Sequence, residues 1–496
     1  MLDWPIAAVR CQDPDAAIAP ASPMGLSDNS PDDMTLSTRT LRWAAIRPPR
    51  PEYKWLVLGV VSLGSFMTTL DASTVAVSLP KLQVAFDVSP STALWVVTSY
   101  LLTSMGLLLV VGRLSDALGR RLWYTGGVFV FTLGLGLASS ATTIAQIVPF
   151  RVLTAVGAAM LLSSGVALIT ACFGDHERGK AMGFLGLMVS AGLAVGPLTG
   201  GPILDALGWR ATFYLRVPIG AVGVILAWTL LQEGRALEGR FRFDALGALT
   251  IVAGLVSVVL AMSQASAWGL TSPAFLSLVI FGGLMLAVFA ATELRVPQPL
   301  FDLHMFRSRV YSSSVGSMIL YFAAVASAYY LLPFYLIQGR EYSSTVAGLV
   351  FAIYPITMML VSPLAGMATD RLGSRLPVAA GLVVIVVSLV LIGGLGERTA
   401  LAFVAIAMVV IGLGSGIVEP SNNSALMGAA SRERLSVAAA SLAISRQMGL
   451  VLGIALGSAI FASRQRTYEL THSSEGALVQ GFQDAVLFTA GLAVAA

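Results

Sequence analysis

Apolar residues run through this chain in long unbroken stretches, not in the alternation of a half-buried strand or the narrow stripe of a soluble amphipathic helix. From Trp55 onward these stretches reach membrane-spanning length. They lie at about 55–79, 92–111, 122–140, 145–172, 181–203, 213–232, 245–264, 272–292, 310–337, 345–367, 377–395, 400–428, 435–462 and 482–496. Fourteen spans are therefore expected. The last offers only about fifteen apolar residues, roughly 22 Å of helix against a hydrocarbon core of roughly 30 Å. Residues 1–50, rich in Pro, Asp and Ser, lack any apolar period and read as a disordered cytosolic tail with no signal peptide; Met24 or Met34 could equally begin the protein.

Composition agrees with this pattern. Of 496 residues, 56% are hydrophobic and 11% charged, and the mean hydropathy is +0.82. Such a chain is an all-α polytopic membrane protein, because continuous apolar runs argue against a β-barrel. Its 49 Gly and 22 Pro suit membrane helices that pack closely and bend. Cys11 and Cys172 fall in unlike segments, which disfavours a disulfide framework.

The net charge of +4 matters less than its distribution. Loops on one side carry Arg113, Arg120, Arg121, Arg178, Lys180, Arg235, Arg240, Arg242, Arg295, Arg307, Arg309, Arg371, Arg375, Arg432 and Arg434. The opposite loops hold Lys81, Arg210, Arg340, Arg398, Arg464 and Arg466. Basic residues concentrate on the cytoplasmic side, so a multi-pass cell-membrane protein with both termini cytosolic is expected.

The string Gly112-Arg113-Leu114-Ser115-Asp116-Ala117-Leu118-Gly119-Arg120-Arg121 follows the second span, and Gly366-Met367-Ala368-Thr369-Asp370-Arg371-Leu372-Gly373-Ser374-Arg375 follows the tenth. The same offset, 366 − 112 = 254 residues, overlays the glycine-rich fourth span on the twelfth. An N-terminal six-helix half (51–235), two inserted spans (236–295) and a C-terminal six-helix half (296–496) account for both correspondences, with a binding cavity expected between the halves. Gly112 and Gly119 permit a tight turn, Asp116 can cap a helix, and Arg120 can bond a neighbouring helix end, which together could latch one conformation. A static turn is the plainer alternative, weakened by the second copy with Asp370.

These two strings resemble the cytoplasmic signature of the major facilitator superfamily. A second resemblance lies in the fifth span. There Gly192-Leu193-Ala194-Val195-Gly196-Pro197-Leu198-Thr199-Gly200-Gly201 is similar to the motif associated with antiporters and exporters of that superfamily. Gly192, Gly196 and Gly200 share one helix face, where a partner can approach closely, and Pro197 is a candidate hinge. Together with Leu70-Asp71, Thr74-Val75 and Leu79-Pro80, Trp95 to Tyr100, and Trp209-Arg210, the fourteen-span count resembles the drug:proton antiporter branch. The resemblance covers nearly everything after residue 50. It implies two six-helix halves of the major facilitator fold and proton-driven export of amphipathic, often cationic, small molecules. The energy source would be the proton gradient, with no cofactor. Three positions depart from the pattern: Thr154 and Ala155 stand where Gln and Gly are usual, and Arg216 where Asn is usual, a change that could alter substrate choice near the outer face.

Ionisable groups inside spans mark candidate chemistry, since a charge at membrane depth is costly. At about 1.5 Å per residue, Asp71 sits roughly 24 Å above the cytosolic end of span one and Arg151 roughly 9 Å below the outer end of span four. The two are level and are expected to face each other or a common water. Withdrawal of Arg151 would then trigger protonation of Asp71. Glu419 and Arg446, roughly 14 and 16 Å from the cytosolic ends of their spans, are level too. They form either a second proton or cation-substrate site or a permanently neutralised pair. Tyr329 and Tyr330, in an aromatic run with Tyr321, Phe322, Phe334 and Tyr335, could hold delocalised cations or simply meet lipid. Trp268 suits an interface anchor. His176, His304 and His472 suggest no metal site, and no Gly-x4-Gly-Lys-Ser/Thr string is present, which argues against ATP-driven transport.

Lipid and small molecules are thus the expected partners, with neither nucleic acid nor an obligate protein implied. A proton-coupled exporter is the leading expectation. A dedicated exporter of one metabolite or lipid is the alternative, and a non-transporting membrane sensor the alternative of another class.

Overall fold

A computed structural model describes residues 52–173, 175–232, 245–269, 271–295, 303–429, 435–471 and 473–496. The N-terminal tail, Cys11, most of the basic linker after span six, and Arg432 and Arg434 lie outside these. Among the described residues the chain is helical and carries no strand.

The helices are α1 (Tyr53–Phe86), α2 (Pro90–Leu118), α3 (Arg120–Ser140), α4 (Ile144–Cys172), α5 (Asp175–Leu207), the short α6 (Ala211–Tyr214) and α7 (Val217–Leu230), α8 (Ala245–Trp268), α9 (Pro273–Glu293), α10 (Arg309–Phe334), α11 (Ser344–Leu372), α12 (Arg375–Gly393), α13 (Leu401–Gly428), α14 (Leu435–Tyr468) and α15 (Ser474–Ala495). Among the described residues thirteen helical stretches are long and apolar enough to cross a membrane, and α8 adds the apolar segment Leu246–Met262. Serine caps start several of them. Ser89, Ser272, Ser308, Ser343 and Ser473 each accept a bond from a backbone N–H three residues on, which satisfies a donor the first turn leaves open. Ser89 and Ser272 are each followed by Pro at the first helical position, where the missing N–H costs nothing.

One expectation from the apolar pattern is corrected. The last span is not short: α15 begins at Ser474, and its 22 residues reach across the core. Polar Ser474, Glu475 and Gln480 had hidden its first turns; further along, Gln483 bonds the Leu395 carbonyl and Asp484 pairs with Arg464 at 3.2 Å. Span six, Ala211–Leu230, carries a two-residue turn at Leu215-Arg216 between α6 and α7.

Packing repeats between the two halves. α1 packs along α5 as α10 does along α14, α3 along α4 as α12 along α13, and α2 along α4 as α11 along α13. Glycine makes these approaches possible. A Cβ on Gly157 would stand 2.7 Å from the Gly127 carbonyl oxygen and the Phe131 Cα, and one on Gly412 2.7 Å from the Tyr354 carbonyl oxygen. α8 and α9 cross at Gly254 and Gly282, and α8 lies against α14 and α2, so the inserted pair covers one side of the bundle. The helix ends next to the sparsely basic loops are called outer below.

Candidate functional site

Asp71 sits in α1 and is fully buried. It is flanked by Leu70 and by Ser73 and Thr74, which hang from α5: Ser73 Oγ donates to the Gly192 carbonyl and Thr74 Oγ1 to the Gly196 carbonyl, both at 3.2 Å. The glycine face of the fifth span is thus the seat of the aspartate's helix. A Cβ at Gly192 would lie 2.6 Å from the Phe66 carbonyl oxygen, so no larger residue fits without a shift. The opposite face of α5 meets α11 of the other half, where the Pro197 carbonyl lies against Gly348 and Gly201 against Ser344. α5 continues as helix through Pro197 and Pro202.

The carboxylate of Asp71 is shared by two arginines. Arg151 Nη1 donates to Oδ2 at 2.7 Å, the partner that equal depth predicts. Arg216 Nη1 donates to Oδ1 at 2.6 Å. Sequence reasoning placed Arg216 near the outer face and missed this contact. Arg216 lies only about three residues, or roughly 5 Å, inside the outer end of span six. That is the depth of Asp71, so the same count would have found it. Arg151 is held further by the Val96 carbonyl, to which its Nε donates at 3.2 Å, and by the face of Tyr100 at 4.6 Å. Two cations against one carboxylate leave the cluster one positive charge in excess, in a place where uncompensated charge is costly.

Glu419 and Arg446 also meet. Arg446 Nη2 approaches Oε2 at 3.1 Å and Oε1 at 3.4 Å, and Tyr321 donates its hydroxyl to Oε1 at 3.4 Å. Arg446 lies 5.0 Å from the Phe322 ring centroid. This pair is more open than the first: the Arg446 side chain is 37% exposed and Glu419 9%. The aromatic residues of α10 turn inward: Tyr321, Phe322, Tyr330, Phe334 and Tyr335 are buried, so lipid contact does not explain them. Tyr329 packs on Phe351 and Tyr354, with centroids 4.3 and 5.7 Å away, beside a small apolar recess closed by Met408 and Ile411. Tyr330 stands between the two clusters, in electrostatic reach of Asp71 and Arg151 on one side and of Arg446 on the other.

At the first signature loop, Gly119 has φ 105°, a region L side chains rarely adopt. Turning there lets Arg120 donate to the Ala167 carbonyl of α4 at 3.1 Å and Arg121 to the Trp228 carbonyl of α7 at 2.8 Å. Cations thus meet helix C-terminal ends, where the backbone dipole favours them. In the second copy Gly373 has φ 75°, and Asp370 is exposed with no hydrogen bond or ion pair among the described residues. Gly112 is partly buried; the side chain of Asp116 lies outside the described residues. Nearby, Lys54 pairs with Glu177 across the starts of α1 and α5, and that hydrogen bond holds the Glu177 carboxyl below the usual range.

Hydrogen bonds join the two halves at the outer ends. Asp205 accepts from the backbone N–H of Ser344 at 3.2 Å and from Thr345 N and Oγ1 at 2.7 and 2.8 Å, capping α11 from α5. Gln338 Nε2 donates to the Pro80 carbonyl at 3.2 Å and to Gln83 at 2.9 Å. No group of three or more His, Cys, Asp or Glu among the described residues is placed to hold a metal ion.

The described residues form a polytopic helical bundle whose packing repeats, with a buried charge cluster around Asp71 and a more open pair at Glu419 and Arg446. The chain belongs to the Major Facilitator Superfamily, whose sequence profile matches residues 61–454. It is 32% identical over 412 residues to the riboflavin transporter RibZ of Clostridioides difficile, covering 82% of this chain and 88% of that protein. It is 31% identical over 416 residues to the multidrug resistance protein Stp of Mycobacterium tuberculosis (84% and 77%). It is likewise 31% identical over 461 residues to the puromycin resistance protein pur8 of Streptomyces alboniger (90% and 91%). Among solved structures, a POT family transporter in complex with 5-aminolevulinic acid superposes with a TM-score of 0.68 at 14% identity, over 88% of this chain and 94% of that one. That likeness concerns the fold.

Proposed function

We propose that this transporter is a proton-coupled antiporter. It exports amphipathic, chiefly cationic drugs or toxic compounds across the cytoplasmic membrane by alternating access, with both termini cytosolic. The observation that carries this reading is Asp71, a fully buried carboxylate at membrane depth whose ionic partners, among the described residues, are Arg151 of α4 and Arg216 between α6 and α7. Such an acid has no use for stability alone, because burying ions is repaid only in part by pairing them. It can serve as a proton carrier if an arginine partner withdraws in one conformation and returns in the other. Substrate would enter between the halves, where the more open Arg446–Glu419 pair and Tyr329 and Tyr330 offer a charge that can exchange partners and aromatic faces for a cation. Relatives named for multidrug and puromycin resistance support export.

A dedicated exporter of one metabolite is the second reading, favoured by the likeness to a riboflavin transporter. Proteoliposomes decide the matter. Efflux of a fluorescent lipophilic cation should rise several-fold when an inward proton gradient is imposed, and Asp71→Asn should abolish the rise. Gradient-dependent efflux that survives the substitution overturns the role of Asp71. A flavin moved in preference to every cation tested selects the dedicated exporter, and a chain that moves no substrate under any gradient is the sensor.

A further inference from the structure

The two arginines that share Asp71 are not held alike. Arg151 has three anchors: the carboxylate, the Val96 carbonyl and the face of Tyr100. Arg216 has one. Its Nη1 meets Asp71, its Nη2 is buried with no hydrogen-bond partner among the described residues, and Phe213 stands 6.0 Å away, at the limit of cation–π attraction. If the charge on Asp71 is removed, Arg151 keeps a carbonyl and an aromatic face. Arg216 keeps only the distant Phe213 ring, and a buried guanidinium without a hydrogen-bond partner is unstable in place.

The backbone at Arg216 is suited to movement. The residue stands at the break between α6 and α7, where the Arg216 N–H bonds the Phe213 carbonyl three residues back, the tighter pattern of a helix end. The nearest proline, Pro218, restricts Val217 before it and leaves Arg216 its own backbone freedom. Around Asp71, α2 brings Tyr100, α4 Arg151 and α10 Tyr330, while α5 brings Gly192 and Gly196 and has its Asp205 engaged by Ser344 and Thr345. Helices α6 and α7, which also touch α1, contain no acid, and α11 carries only Asp370, near its C-terminal end. None of these is a second acid that could hold Arg216.

We infer that Arg216 is the positioning residue that reads the protonation state of Asp71: when Asp71 takes a proton, Arg216 withdraws and the α6–α7 break loosens, while Arg151 stays in place. Its physiological trigger rests on the proton role proposed above. The asymmetry of anchoring does not.

Hydrogen exchange on the full-length protein in lipid nanodiscs tests this directly. In Asp71→Asn, which mimics the protonated acid, amides of residues 209–222 should exchange about tenfold faster than in wild type, and those around Arg151 in α4 should be unchanged. In Arg216→Gln the same amides should be fast already and gain nothing from adding Asp71→Asn. Equal acceleration in both segments, or none in either, overturns the inference. If Asp71→Asn does not fold, lowering the pH on wild type gives the same comparison between the two segments. Transport separates this inference from the one beneath it. Arg216→Gln should move the pH midpoint of gradient-driven efflux upward and Arg216→Lys should restore it, whereas a wild type indifferent to the gradient sinks the antiport reading and leaves the Asp71→Asn exchange comparison to decide on Arg216.

Discussion

Removing Asp71 by substitution to Ala leaves two guanidiniums buried side by side, and we expect a loss of about 3–5 kcal/mol of stability, the usual cost of stripping the partner from a buried ion. Removing either arginine should cost much less, because the cluster then becomes neutral. Arg151→Met and Arg216→Met, compared with Asp71→Ala by thermal unfolding in detergent, check this order. A different scale of effect applies at Glu419: its partner Arg446 is partly solvated, and we expect Glu419→Gln to change stability by about 1 kcal/mol or less. Loss of cation transport in that variant without loss of stability would mark the pair as functional; unchanged transport of every cation tested would mark it as static. Helix depth alone made both pairs legible in the sequence, since charges at one level in neighbouring spans seek each other. Arg216 was noticed as a departure near the outer face, but its pairing with Asp71 was missed because its depth was not compared with that of the aspartate. Tyr321 beside Glu419 escaped because no one-dimensional pattern reveals which face of α10 meets α13.

At the level of elements, α5 is the helix with a partner on each side. Its glycine face is fitted to α1 and its Pro197–Gly201 face to α11. The first fit predicts that Gly192→Ala, which forces a Cβ against the Phe66 carbonyl oxygen, destabilises by about 1–3 kcal/mol, measurable as a lowered Tm. Asp205, the cap that α5 lends to α11, should hold the outer ends together. Asp205→Ala removes the three hydrogen bonds it accepts, and at about 1 kcal/mol for a lost cap we expect the population open on the outer side to rise severalfold. Spin labels on the outer ends of α5 and α11 would report a longer mean distance. The glycine spacing showed that some helix would approach this face. It could not say which, because a face of small residues specifies closeness and not a partner. The last span was read short for another reason: Ser474, Glu475 and Gln480 in its first turns look like loop residues.

For the whole molecule, the 254-residue offset between the two signature strings has a counterpart in helix packing that repeats, α1 along α5 as α10 along α14. The conformation was not legible, because one sequence must stabilise more than one state of a transporter nearly equally. In this one the outer side is fastened. On the opposite side Lys54 and Glu177 tie α1 to α5 within a single half. Lys54 holds the Glu177 carboxyl below its ordinary value of 4.5, so the pair contributes fully above that pH and its contribution disappears as pH falls through the depressed value. Between pH 5 and 8 we therefore expect Glu177→Gln to leave the shape of the stability–pH curve unaltered, with deviation only in acid. The two-sided setting of α5 has a pharmacological corollary. Ser73 and Thr74, next to Asp71, hang from the helix whose far side forms the outer seam. A small wedge bound between Gly201 and Gly348 from the outer side would therefore block the cycle at a distance from Asp71, and its inhibition should be noncompetitive: maximal transport falls while the concentration of substrate needed for half-maximal transport stays the same.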